Sequence, residues 1–321
     1  MLAGNARYLL KLPLVVLGLA LTATRVANSL SAEEPVAKPA GTPAAAAVKR
    51  QGQSDSSHYL RVIHDAQDRA VSLETAIVSF GPAVAGTMYP RPAANVRVDL
   101  VAAVHIADKG YYQELNRRFA GYDAVLYELV APEGTRIPKG GRKDKRAGNV
   151  LSAFQLGMKD MLKLEFQLDE VDYTRKNLIH ADLSPEQFVK SLRKDGFTDI
   201  FTRLLAYALA KQAQGGDGGE MQLLMAMFDK DRALALKRAM AGQFQEMETV
   251  TVVLEGPKGA TLIGERNKRA LEVLKKQIAA GKQKIAIFYG AGHMADMEKR
   301  LRADFALKPQ QTQWLRAWDM K

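Results

Sequence analysis

The pattern of apolar positions near residue 100 predicts a strand, a helix and a second strand. Residues 95–106 end in an almost unbroken apolar run rich in β-branched side chains, which is typical of a strand buried on both faces. Helical spacing follows over about 108–119, where Asp108 is suited to cap the helix. Residues 123–130 predict a second buried strand. Because this βαβ unit takes only roughly 35 residues, at least part of the sheet is predicted to be parallel.

The C-terminal part of the chain predicts further α/β structure. A helix over 262–280 is expected to end at Gly281, which suits a left-handed C-cap. Residues 284–289 form a short apolar strand that leads into the sequence Gly-Ala-Gly-His at 290–293 and then into another helix. Residues 311–318 fit an edge strand.

The middle of the chain, at about 151–250, predicts mainly helices because Leu, Met, Ala and Lys are abundant there. Pro185 behind Ser184 is expected to open one of these helices. We therefore predict one α/β domain over 58–321, with a mixed, largely parallel central sheet, flanking helices and a helical insertion at about 151–250.

The first 57 residues predict targeting and linker segments. Arg7 and Lys11 precede an apolar run over 12–23, which is short for a bilayer span of about 20 residues. This pattern predicts a secretory signal peptide over 1–32, and an uncleaved membrane anchor is the alternative. Residues 33–57 are rich in Ala, Pro, Gly and Ser and predict a disordered linker. The protein is thus expected outside the cytoplasm, either periplasmic or secreted, and membrane-anchored if the signal peptide is kept.

The net charge of +11 narrows the expected partners. Part of it lies in a basic run at 139–146 that contains no aromatic residue, so single-stranded nucleic acid would find no stacking surface there. Nucleic acid is therefore not an expected partner. A solvated loop is the simplest interpretation of the run, and a contact with lipid headgroups or an anionic substrate is the other. The chain has no cysteine, which excludes disulfides and thiolate metal ligands.

Three ionisable residues follow predicted strands, namely His105, Glu128 and His293. Ligands of open α/β sheets gather at the carboxyl ends of strands, so these side chains are expected to converge. Glu128 lies in an apolar segment, and a buried carboxylate there needs a cation, an arginine or a histidine nearby. A structural salt bridge between two elements is the alternative. His180 is a further catalytic candidate, although Asp182 beside it could simply begin the following helix.

Arg266 and Asn267 add to this set. Asn267 falls on the apolar stripe of the helix predicted over 262–280, so it must find a hydrogen bond inside the protein. Arg266 is placed either to neutralise Glu128 or to hold a substrate oxyanion. The simpler alternative is a surface arginine beside a buried asparagine that caps a loop.

These motifs resemble the TraB, PrgY and GumN family, to which the Tiki proteins also belong. The family carries two Gly-x-x-His motifs, a glutamate after the first and an Arg-Asn or similar pair before the second. Here the first motif is Ala-Ala-Val-His at 102–105, the glutamate is Glu128, and the second motif is intact at 290–293. The one departure is Ala102, which stands where the family motif has glycine. The resemblance covers roughly 96–301.

The resemblance implies a fold like that of erythromycin esterase and the haem-binding ChaN proteins. Tiki relatives are described as metalloproteases that use manganese or cobalt. The resemblance thus implies a divalent metal ion, manganese or cobalt with zinc also possible, held by His105, Glu128 and His293. It also implies a peptide or protein substrate. In a metal-assisted hydrolase of this kind, Arg266 would steady the developing oxyanion and Asn267 would orient a ligand or the substrate.

Three hypotheses follow for function. In the first, two neutral imidazoles and a carboxylate hold a metal ion that activates water, which makes the protein a metal-dependent hydrolase and, by the resemblance, a peptidase. In the second, a histidine next to a glutamate acts as general base without a metal, as in an esterase-like hydrolase. In the third, the protein is a non-catalytic binding protein for haem or a peptide.

Overall fold

The computed structural model describes residues 59–82, 95–141, 162–194, 219–241 and 261–321. Seven strands form its main sheet: β1 (Leu60–His64), β2 (Ala70–Pro82), β3 (Arg97–Ala103), β5 (Ala124–Tyr127), β7 (Leu178–His180), β8 (Lys284–Gly290) and β9 (Leu307–Asp319). A two-stranded sheet joins β4 (Ile106–Ala107) to β6 (Glu165–Phe166). The helices are α1 (Lys109–Phe119), α2 (Gln167–Glu170), α3 (Pro185–Lys194), α4 (Gly219–Ala226), α5 (Thr261–Ala279) and α6 (Met294–Phe305), and residues 232–241 are also helical.

The main sheet has a parallel part and an antiparallel part. Its strand order is β1-β2-β3-β8-β5-β7, and β9 pairs with β2. The four strands β3, β8, β5 and β7 run parallel. The ladders of β2 with β1, β3 and β9 are antiparallel. The protein is therefore a mixed α/β structure with flanking helices, as the sequence predicts.

Helices cover both faces of the parallel part. Because side chains alternate along a strand, Val101 and Phe288 belong to one core, which includes the apolar side of α1. Their neighbours Leu100 and Ile287 belong to the other core, with α5 and α6. Burial on both faces explains why the sequences of β3 and β8 are apolar almost throughout.

The predicted βαβ unit is confirmed, although another strand lies between its two strands in the sheet. β3, α1 and β5 follow one another along the chain, but β8 pairs with both strands and separates them in the sheet. β5 ends at Tyr127, three residues before the predicted end at 130. Glu128 therefore lies just beyond the strand rather than inside it.

The middle segment is less helical than predicted. Of residues 151–250 the structure describes 162–194 and 219–241, and these include β6 and β7 as well as helices. β7 pairs with β5 in parallel and so belongs to the central sheet. Three residues are too few to show a period in the sequence, which is why the strand was missed.

The structure confirms one of the two predicted helix caps. Gly281 adopts a φ of 81° after α5, so the predicted left-handed cap is confirmed. Asp108 occupies the N-cap position of α1, but its side chain makes no capping hydrogen bond. Its carboxylate instead accepts hydrogen bonds from Lys237 Nζ at 2.7 Å and from the backbone N–H of Asp319 at 2.5 Å. Asp108 therefore ties the start of α1 to the C-terminal strand.

Several predicted segments lie outside the described residues. These are the signal peptide at 1–32, the linker at 33–57 and residues 142–146 of the basic run. Within the ranges that the structure describes, no helix combines the length and the apolar character needed to cross a bilayer.

Candidate active site at the carboxyl edge of the parallel strands

The sheet register brings the predicted site residues to one edge. Ala103 at the end of β3 pairs with Gly290 at the end of β8. Tyr127 at the end of β5 pairs with Phe288, and the N–H of Glu128 bonds to the Phe288 carbonyl at 3.2 Å. The segments that carry His105, Glu128 and His293 therefore leave adjacent strands at the same edge, as the sequence predicts.

Glu128 is held between a cation and a backbone amide. Its side chain is 10% exposed. One carboxylate oxygen accepts a hydrogen bond from Arg266 Nη2 at 2.6 Å, and the other accepts the N–H of Gly290 at 2.7 Å. A Cβ atom at Gly290 would lie 3.3 Å from that second oxygen, so glycine permits the close approach. Arg266 is thus the charged partner that the sequence requires.

The environment keeps Glu128 ionised. Burial would raise the pKa of this carboxyl, but the charge of Arg266, the protonated forms of His293 and His105, and the Gly290 N–H outweigh burial and hold the pKa well below its usual range. Glu128 is therefore a fixed negative charge rather than a proton donor.

Arg266 binds a second carboxylate, that of Asp182. Its Nε donates to one Asp182 oxygen at 3.0 Å and its Nη2 to the other at 2.5 Å. The Asp182 side chain has no solvent exposure. Burial lowers the pKa of Arg266, but Glu128 and Asp182 more than offset this and raise it above the usual value. These three groups sum to a net charge of −1.

The sequence predicts Asp182 only as the start of a helix, whereas the structure places it in the site. The missed signal is its position. Asp182 is the second residue after β7 and Glu128 the first after β5, and both strands end at the same edge of the sheet. Three of the five N–H groups of Arg266 bond to carboxylates, and Nη1 lies 3.4 Å from His293 Nε2. An oxyanion role for Arg266 stays a prediction that depends on its remaining Nη1 hydrogen.

His293 is buried and held by Asn267. The Nδ1 atom of His293 lies 2.7 Å from Asn267 Oδ1, and its Nε2 lies 3.6 Å from a Glu128 oxygen. Asn267 is fully buried on α5 and also binds the Asp296 carboxylate at 2.8 Å, so its predicted internal hydrogen bond is confirmed. Burial lowers the pKa of His293 to about 4, although Glu128 acts in the opposite direction. His293 is therefore neutral at pH 7.

His105 differs from His293 because it is exposed to solvent. Its Nδ1 lies 3.3 Å from Gln167 Oε1, and Gln167 Nε2 donates to the Tyr173 hydroxyl at 2.9 Å. Among the residues that the structure describes, His105 makes no hydrogen bond to Glu128 or His293. A protonated His105 lowers the pKa of both, so the three groups share one electrostatic environment. Neither Gln167 nor Tyr173 was singled out from the sequence, because an isolated polar residue in a short helix or loop has no distinguishing pattern.

His180 lies beside this group of residues rather than in it. Its Nε2 is 2.6 Å from the Leu129 carbonyl oxygen, and its ring packs against Tyr127 at 5.7 Å between centroids. A carbonyl oxygen only accepts, so the proton of the neutral imidazole is on Nε2. His180 thus stabilises the chain just after Glu128. A catalytic role for His180 stays a prediction.

The predicted metal ligands do not fit an ion as they are arranged. The 3.6 Å between Glu128 and His293 is near the roughly 3.4 Å that two ligands of a tetrahedral ion would have. However, the Arg266 guanidinium already bonds to Glu128 and approaches the same His293 nitrogen. Across the described ranges, no group of three or more His, Cys, Asp or Glu side chains is placed to hold a metal ion. A metal centre stays a prediction.

Comparisons of this chain with protein-family models, with curated proteins and with solved structures each find no match. The resemblance to the TraB, PrgY and GumN family therefore depends on the motif residues alone and stays a prediction.

Replacing Arg266 with methionine is expected to lower the free energy of unfolding at pH 7 by about 3–5 kcal/mol, because two buried carboxylates lose their counter-ion. The matched control is Lys268→Met on the same helix, whose side chain is 53% exposed. It is expected to change stability by less than about 0.5 kcal/mol. Urea unfolding of both variants tests this, and equal effects would contradict a role for the Arg266 charge.

His293 is expected to make the protein less stable as the pH falls from 6.5 towards 4. Its folded-state pKa of about 4 lies below the unfolded value of 6.5, so the unfolded chain binds more protons in that window. The free energy of unfolding should therefore fall by up to about 1.4 kcal/mol per pH unit. Urea unfolding from pH 7 to 4.5 is expected to show this slope in the wild type and a shallower one in His293→Gln. The exposed His64→Gln control should keep the wild-type slope.

Proposed function

We propose that the chain is a hydrolase in which His105 activates water at the carboxyl edge of the parallel strands. The observation that supports this proposal most is that an exposed imidazole and a buried group of net charge −1 lie at the same edge of the sheet, where α/β sheets bind ligands. A general base must reach solvent and be held by a neighbouring group. His105 is exposed to solvent, and Gln167 holds its ring.

The other ionisable residues are poorly suited to the same role. A general base works best when its pKa is near the working pH. His293 is buried with a pKa of about 4, and the pKa of Glu128 lies well below its usual range. We therefore assign proton transfer to His105 and a supporting electrostatic role to Glu128 and His293.

In the proposed reaction, His105 takes a proton from water while the water oxygen forms a bond to the substrate carbonyl carbon. The resulting imidazolium cation is stabilised by the negative charge of Glu128, which Arg266 keeps ionised. When the tetrahedral intermediate collapses, the bond to the leaving group breaks and His105 returns its proton to that group. No net proton is consumed.

The substrate class in this proposal comes from the family resemblance. The order of the motif residues around one sheet edge supports the TraB, PrgY and GumN assignment and a fold like that of erythromycin esterase and ChaN. With that assignment we propose a peptide or protein substrate and a location outside the cytoplasm. General-base chemistry of this kind serves amides and esters alike, so both are included in the test.

Replacing His105 with alanine is expected to lower kcat by about 100-fold or more, because the base is removed. The assay is cleavage of a peptide library and of an activated ester. Since His105 is exposed, the free energy of unfolding should change by less than about 0.5 kcal/mol. His64→Ala, which removes another exposed imidazole, should keep full activity. A His105→Ala variant as active as the wild type would refute the proposal.

Metal-assisted hydrolysis is a second candidate, favoured by the 3.6 Å between Glu128 and His293. His105, Glu128 and His293 would hold the ion, and Arg266 would have to move to admit it. Manganese, cobalt and zinc are measured in the purified protein, and activity is assayed after a chelator. The general-base proposal predicts below about 0.1 ion per chain and undiminished activity. Activity that is lost on chelation and restored by one of these ions would favour the metal candidate instead.

A further inference from the structure

His293 and His105 each have Nδ1 next to the side-chain oxygen of an amide. His293 faces Asn267 at 2.7 Å, and His105 faces Gln167 at 3.3 Å. In a neutral imidazole one ring nitrogen carries the proton and the other carries a lone pair. The hydrogen-bond partner of one nitrogen determines which of the two is protonated. The two amides are therefore placed to choose the tautomer of each histidine.

For His293 the tautomer is determined by oxygen atoms that can only accept hydrogen bonds from Asn267. Asn267 Nδ2 donates to the backbone oxygen of His293 at 3.1 Å and to the Asp296 carboxylate at 2.8 Å. The amide therefore cannot be turned over, and Oδ1 must face Nδ1 of His293. The proton is thus on Nδ1, and the lone pair is on Nε2.

For His105 the second partner of the amide is a hydroxyl, which can donate or accept. Gln167 Nε2 donates to Tyr173, whose ring is fixed edge-on against Tyr127 at 4.9 Å between centroids. Gln167 is itself buried, and its backbone N–H bonds to the His105 carbonyl at 2.9 Å. Backbone and side chain of Gln167 thus both bind His105. In the orientation found, His105 has its proton on Nδ1 and its lone pair on Nε2.

We propose that Gln167 is a positioning residue that holds His105 as the Nδ1–H tautomer and so leaves Nε2 free to accept a proton. If the Gln167 amide were turned over, its NH2 group would donate to Nδ1 of His105. The proton of His105 would then be on Nε2, and its one lone pair would be occupied by Gln167. The catalytic consequence rests on the proposed function, but the tautomer itself does not.

The tautomers are measured directly by ¹⁵N NMR of the histidine side chains in the wild-type protein at about pH 8. His293 and His180 are internal references of opposite kind, because their partners fix the proton on Nδ1 and on Nε2, respectively. Signals are assigned by their loss in single His→Gln variants. His105 is expected to match His293, with a pyrrole-type Nδ1 and a pyridine-type Nε2. The pattern of His180 at His105 would overturn the proposal.

Two substitutions at Gln167 separate positioning from structure. Gln167→Glu keeps an acceptor facing Nδ1 and is expected to preserve the tautomer, and kcat should stay within about threefold of the wild type. Gln167→Met removes the acceptor, and we expect partial reversal of the tautomer and an approximately 10–100-fold lower kcat with KM unchanged. If Gln167 instead donates to His105, Gln167→Glu is the variant that disrupts the tautomer.

The two kinds of readout fail independently. Should neither the wild type nor any variant hydrolyse a substrate, the proposed function fails while the NMR result still decides the tautomer. Should Gln167→Met fail to fold, the wild type and Gln167→Glu still give opposite results for the two orientations of the amide. An active protein whose His105 carries its proton on Nε2 would refute the positioning role alone.

Discussion

The contact on which this edge of the protein depends is that of one buried guanidinium with two carboxylates. Arg266 reaches from α5 to Glu128 after β5 and to Asp182 after β7, so a single side chain joins a helix to the ends of two strands. Burying three charges carries a large desolvation cost, which is offset only when each is paired and hydrogen-bonded. The geometry meets that condition, because both Asp182 oxygens bind Arg266 and the second Glu128 oxygen binds the Gly290 amide.

His293 and His105, which both lie near that contact, differ in burial. His293 lies against the guanidinium and inside the core, and its low pKa follows from burial that the Glu128 charge only partly offsets. His105 leaves β3 at the same edge but remains in solvent. Similar positions after adjacent strands therefore produce one buried, neutral imidazole and one accessible imidazole. Their positions in the sequence do not distinguish the two histidines, whereas their burial in the structure does.

The sequence predicts those parts of the site that local patterns specify. Glu128 in an apolar segment demands a counter-charge, and Asn267 on an apolar stripe demands an internal hydrogen bond, and both demands are met by the structure. Asp182 and Gln167 have no distinguishing local pattern, because their roles arise from contacts with residues distant in the sequence. The strand before Asp182 is three residues long, and its register with β5 depends on packing from distant parts of the chain. Asp108 shows the same limit, since its capping position was predictable and its binding of Lys237 was not.

The charge balance at this edge bears on the proposed role of His105. One arginine and one carboxylate would suffice to join two elements, and apolar residues often do so at lower cost. The second carboxylate joins a third element, β7, and leaves a net charge of −1 at the contact. A neighbouring base that becomes a cation during turnover would be stabilised by that charge. The net charge of this contact is thus the feature of the fold on which the proposed role of His105 rests.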